Sequence, residues 1–206
     1  FYVQQSDGTY VDEASTRFPT PIDTPTTAGT ALDVEPDGDL VLLITRREGG
    51  LTLLINDGTG HFDLSSAMWL REQTRLSQSS AWGDVDGDGD LDVFVSNYTN
   101  WTEDWLFTVP SAPTMPSMDA LWLNQGDGEF LNADDRIGGL DAASAFTFTA
   151  GFWDRDDDAD LDLVVINDNR YEYSWAQPVQ YFENTAGYFE STGDALGLEL
   201  PIQGMG

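Results

Sequence analysis

Carboxylates are concentrated in one short stretch of this chain, residues 82–95, which reads WGDVDGDGDLDVFV. Its five aspartates alternate with glycine or apolar residues, and an apolar run follows directly. Carboxylates a few ångströms apart repel one another by roughly 1 kcal/mol or more per close pair, even with substantial screening. A cluster of this kind would fray without a partner, so the stretch predicts a bound counter-charge.

The predicted counter-charge is a metal ion. The chain has 8 Lys and Arg residues against 37 Asp and Glu residues, with a formal net charge of -29, and Arg155 is the basic residue that falls inside an acidic loop. Ligands that are all oxygen atoms select a hard cation. Alternating carboxylates on a compact loop suit the large, flexible ligand shell of calcium better than the rigid octahedron of magnesium.

The spacing assigns a role to each position of the loop. The first, third, fifth and ninth residues would supply side-chain ligands, the seventh would supply its carbonyl oxygen, and glycine at the sixth would permit the sharp turn. In the first full loop these ligands are Asp84, Asp86, Asp88, Asp90 and Asp92, and in the second they are Asp154, Asp156, Asp158, Asp160 and Asp162. The second loop has Ala159 where the first has Gly89, which makes its turn harder to form.

A related stretch, ALDVEPDGDLVLLI at residues 31–44, is less complete. It retains Asp33, Glu35 and Asp37 as candidate ligands, but Val41 occupies the ninth position. We therefore predict two calcium sites and a third that is weak or empty. The alternative for all three stretches is that they are acidic turns on a highly charged, solvated surface.

An EF-hand loop also begins with aspartates at alternate positions. It requires a bidentate glutamate at its twelfth position and a helix on each side. Here the twelfth residue is Val95 or Val165, and the flanking residues are typical of strands. The EF-hand is therefore excluded.

A second pattern alternates with the acidic loops and reads as strand, tight turn, strand. It occurs at residues 1–10, 52–62, 121–130 and 181–189. Each copy has a glycine two residues before an aromatic residue, and Tyr2, Leu54, Trp122 and Tyr181 stand six residues before these glycines. Short strands and glycine turns that repeat along a chain indicate a repeat architecture, with propeller blades as the leading candidate.

The alternation of WGDVDGDGDLDV with LWLNQGDGEF resembles the FG-GAP/VCBS repeats of integrin-α-like β-propellers and of large secreted bacterial proteins. The resemblance implies an all-β fold of four-stranded antiparallel blades, with calcium in the loop that joins the first two strands of a blade. It extends to Asp84, Asp86, Asp88 and Asp92 and to Asp154, Asp156, Asp158 and Asp162, and the stretch at residues 33–41 departs from the family pattern at Val41.

The repeats predict a single propeller segment over residues 1–206. It would comprise a half blade at residues 1–18 and blades at residues 28–66, 80–134 and 148–192. About three and a half blades are too few to close comfortably. Either the segment belongs to a longer propeller, or its open edges pair with strands of another chain.

The net charge excludes nucleic acid and anionic membranes as partners, because both would be repelled. Membrane insertion is not expected either, since no apolar run approaches the ~20 residues of a spanning helix. The chain has no cysteine, and its one histidine, His61, falls in a predicted hairpin turn. Catalysis is therefore not predicted.

These observations favour an extracellular or cell-surface calcium-binding propeller module that acts in adhesion by binding a protein, a glycan or other copies of itself. One alternative is a subunit of an extracellular filament or surface assembly joined by strand pairing. Another is part of a calcium-dependent carbohydrate-active enzyme. Asn97 and Asn100 begin N-x-T sequons, so glycosylation is a further expectation.

Overall fold

The structure is a computed structural model that describes most of the chain. The described residues are 1–18, 25–35, 37–47, 50–65, 76–99, 118–126, 128–138, 146–168 and 178–198. Within these ranges the chain is built mainly of strands, and no helix has the length and apolar character needed to cross a membrane.

The described residues form short strands and three brief helical segments. The strands are β1 (Tyr2–Gln4), β2 (Tyr10–Asp12), β3 (Thr26–Leu32), β4 (Val41–Arg46), β5 (Leu51–Asn56), β6 (Phe62–Leu64), β7 (Leu76–Gly83), β8 (Asp92–Thr99), β9 (Ala120–Asn124), β10 (Phe130–Asn132), β11 (Ile137–Gly138), β12 (Thr147–Trp153), β13 (Asp162–Asn167), β14 (Gln180–Thr185) and β15 (Tyr188–Ser191). The helical segments are α1 (Ala14–Arg17), a 3-10 turn η1 (Asp134–Arg136) and α2 (Gly193–Leu196).

Each complete repeat forms one antiparallel sheet whose strands follow chain order. Sheet I has the order β3-β4-β5-β6, sheet II has β7-β8-β9-β10, and sheet III has β12-β13-β14-β15. Strand β11 adds to sheet III by pairing in parallel with β15. The predicted all-β fold with four-stranded antiparallel blades is confirmed, with sheets that run over residues 26–64, 76–132 and 147–191.

The second strand of each sheet is apolar on both faces, as expected for a sheet with neighbours on both sides. In β8 the side chains of Val93, Phe94 and Val95 are all fully buried. Val93 and Val95 belong to the apolar cluster shared with sheet I, whereas Phe94 belongs to the cluster shared with sheet III. Sheet II is thus packed between the other two.

The first strands of the sheets lie beside one another, with β7 in contact with both β3 and β12. Inner strands that meet in this way are the arrangement of blades around a propeller axis. The described strands form an open, partial propeller and close no barrel.

The first hairpin, β1–β2, contains two strands that pair with each other. Phe1 and Phe18 flank this hairpin and pack on Phe62 of β6, with ring centroids 5.7 and 5.2 Å away. The hairpin therefore lies against the outer part of sheet I.

Strand pairing aligns the four hairpins and corrects one position. Tyr2, Leu54 and Trp122 occupy equivalent places, as the sequence predicts, but the fourth equivalent is Phe182 and not Tyr181. The reason is that the β14–β15 turn is one residue shorter than the other turns, which moves the register by one residue.

Candidate metal centres

The three acidic loops join the first and second strands of the three sheets. They occupy residues 33–40 between β3 and β4, 84–91 between β7 and β8, and 154–161 between β12 and β13. We call them loops I, II and III. This is the position that the family resemblance implies for calcium.

In loop II, Asp84, Asp86 and Asp88 converge, with one carboxylate oxygen of each lying within 4.8 Å of the others. The two carboxylate oxygens of Asp84 accept hydrogen bonds from the backbone N–H groups of Gly87 and Gly89, at 2.8 and 3.0 Å. Both glycines have positive φ, at +77° and +97°, which lets the loop curl around Asp84.

The donor set of loop II fits a hard divalent cation. Oδ2 of Asp86 forms an ion pair with Arg136 at 3.3 Å, but Oδ1 of Asp86 is buried without a hydrogen-bond partner. A buried carboxylate oxygen with no donor is costly. A cation bound by the three carboxylates would remove that cost, and oxygen ligands of this kind are those that calcium prefers.

Loop III repeats the cluster in a more exposed form. Asp154, Asp156 and Asp158 also have carboxylate oxygens within 4.8 Å of one another, and Asp156 and Asp158 are exposed. Partial desolvation, followed by repulsion from Asp158, raises the pKa of Asp156. Arg155 lies 3.2 Å from Asp156 and balances part of the negative charge.

The ninth-position aspartates have a different location from the other predicted ligands. Asp92 is fully buried, and its carboxylate accepts hydrogen bonds from the backbone N–H groups of Val85 and Asn124, both at 2.9 Å. In the described residues the candidate metal clusters comprise the first, third and fifth positions. Asp92 thus ties loop II to the third strand of its sheet, and burial raises the pKa of Asp92 to about 6.

Asp162 ties loop III to the third strand of sheet III in the same way. Its carboxylate accepts hydrogen bonds from the backbone N–H groups of Arg155 and Asn184, at 3.1 and 2.9 Å, and from the hydroxyl of Tyr181 at 2.6 Å. Burial, followed by the hydrogen bond to Asp162, raises the pKa of Tyr181 to about 12. This anchoring role was missed by sequence reasoning, because spacing alone does not show which way a carboxylate faces.

The seventh-position side chains face the hairpin turn of their own sheet. Oδ2 of Asp160 accepts a hydrogen bond from the N–H of Ala186 at 3.0 Å. Oδ2 of Asp90 lies 3.6 Å from where a Cβ atom on Gly126 would be. These contacts involve the side chains only. The metal-ligand role expected for the backbone carbonyl oxygens of Asp90 and Asp160 therefore stays a prediction.

Loop I lacks a convergent carboxylate cluster among its described residues. Asp33 accepts a hydrogen bond from Gly38 at 2.9 Å through Oδ2, while its Oδ1 is buried without a hydrogen-bond partner. Asp37 accepts a hydrogen bond from the N–H of Asp39, and Val41 is buried in the apolar core. Weak or absent metal binding at loop I is still a prediction.

The third residue of loops I and II also contacts the next sheet. Oε1 of Glu35 lies 2.9 Å from where a Cβ atom on Gly128 would be, and the Cβ of Asp86 lies 2.7 Å from that position on Gly187. Each loop is thus covered by the hairpin turn of the following sheet. Sequence reasoning missed this contact, although the glycine at the same place in each hairpin was a signal for it.

The first predicted glycosylation position is not available in the folded protein. Asn97 is fully buried, its amide N–H₂ donates to the carbonyl of Met118 at 2.7 Å, and its Oδ1 accepts from Ser77 at 2.8 Å. A glycan could not be accommodated there, so the expectation for Asn97 is wrong for this fold. Asn100 lies outside the described residues.

The fold and the acidic loops together define a propeller-type repeat protein with two clusters able to hold a metal ion. Residues 33–95 match the family model of the FG-GAP-like repeat, so this span of the chain contains an FG-GAP-like repeat. The matched residues begin at the first aspartate of loop I, include the β5–β6 hairpin and loop II, and end within β8. No match is found among curated proteins.

Proposed function

We propose that the chain is a calcium-binding, non-catalytic propeller module of an extracellular or cell-surface protein, which binds a protein or glycan partner. The observation that carries the proposal is the convergence of three carboxylates in each of loops II and III, with a buried, unpaired oxygen on Asp86. An extracellular location is supported by the match of residues 33–95 to the FG-GAP-like repeat.

Calcium would act here as a structural ion. Asp84, Asp86 and Asp88 would hold it in loop II, and Asp154, Asp156 and Asp158 would hold it in loop III. Each loop connects two strands and is tied to a third by Asp92 or Asp162. An ion bound only by the folded loop stabilises the folded state by mass action, so calcium would rigidify the blade edges that face a partner.

Calcium titration by calorimetry, combined with thermal unfolding in calcium and in EDTA, tests the proposal. We expect two sites and a lower melting temperature in EDTA. Asp88→Asn and Asp158→Asn should each weaken one site by about tenfold or more, because each removes a charged ligand. Asparagine retains an acceptor oxygen for the loop hydrogen bond now made by the aspartate.

Asp63→Asn is the matched control, since Asp63 is an exposed aspartate in β6 outside the acidic loops. It should change neither the stoichiometry nor the melting temperature in calcium. Equal melting temperatures in calcium and EDTA, with no heat of binding, would contradict the calcium assignment.

The non-catalytic part of the proposal is supported by the absence of cysteine and by the location of the one histidine. His61 is exposed in the β5–β6 turn, where Nδ1 lies 2.9 Å from the hydroxyl of Thr59. Glycan turnover that survives Asp88→Asn and Asp158→Asn would favour an enzyme instead.

A further inference from the structure

The third-position carboxylate of each full acidic loop is paired with an arginine. In loop II, Oδ2 of Asp86 lies 3.3 Å from Nη1 of Arg136. In loop III, Oδ2 of Asp156 lies 3.2 Å from Nη2 of Arg155. The two arginines come from different elements, since Arg136 ends η1 and Arg155 is the second residue of loop III. The same contact is therefore made twice, by side chains at places in the repeat that are not equivalent.

Arg136 is held in place by the hairpin turn of the next sheet. Its guanidinium carbon lies 5.2 Å from the ring centroid of Tyr188, and its Nη1 lies 2.9 Å from where a Cβ atom on Gly187 would be. A guanidinium that contacts an aromatic ring, a turn and a carboxylate has few other places to go. Its positive charge therefore stays beside Asp86.

Arg155 is held by Tyr181, in strand β14 of its own sheet. Nε of Arg155 donates a hydrogen bond to the hydroxyl of Tyr181 at 2.7 Å, and the guanidinium carbon lies 5.3 Å from the centroid of the ring. The Tyr181 hydroxyl donates to Oδ2 of Asp162, and the backbone N–H of Arg155 donates to the same oxygen. The buried anchor of loop III thus fixes Arg155 beside Asp156.

The arginines reduce the negative charge that each cluster offers to a cation. Three carboxylates and one arginine leave a formal net of two negative charges at each loop. The arginine also uses Oδ2 of the third aspartate, and in Asp86 the other oxygen, Oδ1, is the one that is buried without a hydrogen-bond partner. The calcium affinity of an acidic loop depends on the charge count of its ligands, and the weak sites of extracellular modules have dissociation constants of about 0.1–1 mM.

We propose that Arg136 and Arg155 are affinity-setting residues, which repel a cation bound by loop II or loop III and keep both sites in this weak range. A guanidinium and a divalent ion that share one carboxylate repel each other, and this repulsion exists only when the ion is bound. Occupancy of the loops would then follow the external calcium concentration. The inference deepens the proposed function and rests on its calcium assignment.

Arg136→Gln in an Asp158→Asn background tests loop II, because the second substitution weakens the site in loop III. We expect Arg136→Gln to tighten calcium binding about three- to tenfold, since it removes a unit charge near a divalent ion and salt screens part of the effect. Calorimetric titration to about 10 mM CaCl₂ extends beyond the range of weak sites and measures the dissociation constant. Arg155→Gln in an Asp88→Asn background tests loop III in the same way.

Thermal unfolding separates repulsion from a purely structural role. In EDTA, Arg136→Gln should lower the melting temperature, because the carboxylates of loop II lose their counter-charge. The rise in melting temperature on adding calcium should be larger than in the wild-type protein, because the ion binds more tightly. A side chain that only supports the fold would lower stability and also weaken calcium binding, and that result would overturn the proposal.

Arg136→Lys and Arg17→Gln are the matched controls. Lysine keeps the positive charge, so Arg136→Lys should retain the wild-type affinity within about twofold. Nη1 of Arg17 lies 3.0 Å from where a Cβ atom on Gly60 would be, a position like that of Arg136 at its own hairpin turn, but Arg17 pairs with Glu13 at 2.8 Å. Arg17→Gln should therefore leave calcium affinity unchanged. A gain as large as that of Arg136→Gln would overturn the proposal, because any loss of positive charge would then be enough.

The wild-type titration separates this inference from the proposed function. If the wild-type protein binds calcium at two sites and the glutamine variants bind no more tightly, only the affinity-setting role is refuted, and each arginine is judged at its own loop. If the wild-type protein and both glutamine variants show neither a heat of binding nor a change in melting temperature, the calcium assignment is refuted together with it.

Discussion

At the residue scale, loops II and III differ in how easily the backbone adopts the same turn. The left-handed positions are Gly87 and Gly89 in loop II, but Asp157 and Ala159 in loop III, with φ of +62° and +77°. A side chain in this region costs roughly 1–2 kcal/mol because Cβ crowds the following carbonyl oxygen. Loop III therefore folds at a cost that loop II avoids, as the alanine in its sequence predicted.

Ala159→Gly should stabilise the protein by about 1 kcal/mol, because it removes the strain at this turn. Urea unfolding in EDTA would measure the effect without a contribution from bound metal. Ala150→Gly in β12 is the control and should destabilise by roughly 0.5–1 kcal/mol, since glycine loses more conformational entropy in a strand. A neutral or destabilising effect of Ala159→Gly would show that the turn is not strained.

At the element scale, the acidic loops join sheets as well as strands. The β14–β15 turn packs on loop II through Gly187 and Asp86, and Arg136 lies between them, paired with Asp86 and 5.2 Å from the ring centroid of Tyr188. The amide N–H₂ of Asn184 also donates to the carbonyl of Val85 at 2.8 Å. A change in loop II is therefore transmitted directly to sheet III.

Gly187→Ala should destabilise the protein more than Gly8→Ala, by about 1–3 kcal/mol. Both glycines have nearly the same φ, +82° and +85°, so the backbone penalty is shared. A Cβ atom on Gly187 would lie 2.7 Å from that of Asp86, whereas none of the described atoms lies within 4 Å of one on Gly8. The difference between the two variants in the free energy of unfolding, measured by urea denaturation, thus reports the overpacking between the sheets. Equal losses of stability in Gly187→Ala and Gly8→Ala would contradict the contact between loop II and the β14–β15 turn.

At the scale of the whole molecule, the dominant property is the net charge of -29 on 206 residues. Self-repulsion of this size opposes compaction, and both bound cations and dissolved salt reduce it. Each of the two acidic clusters brings three carboxylates together with one paired arginine, so both keep a net negative charge. Calcium binding and ionic strength should therefore act on the same destabilising energy.

The test compares melting temperatures at about 0.02 M and about 0.5 M NaCl, which lie below and above the range where screening becomes strong. The higher salt concentration should raise the melting temperature by several degrees more in EDTA than in calcium. Choline chloride at the same ionic strength is the control for specific sodium binding and should act similarly. If NaCl raises the melting temperature equally in calcium and in EDTA, the carboxylates of loops II and III are not the charges that calcium neutralises.

The sequence by itself determined the repeating parts of this protein. Period-two carboxylates, turn glycines before an aromatic residue and apolar runs are local patterns, so they predicted the acidic loops, the hairpins and the four-stranded blades. The first, third and fifth aspartates of loops II and III were identified for the same reason, since three alternating residues on one tight turn have little freedom to diverge.

Only the tertiary structure decided which groups meet across the repeats. Asp92 and Asp162 face backbone N–H groups of a third strand, Asn97 is buried, and Tyr2 and Tyr10 are left uncovered. These outcomes depend on the direction of each side chain and on neighbours that are distant along the chain. Spacing along one strand contains neither kind of information, because burial is a property of the sheets that pack around it.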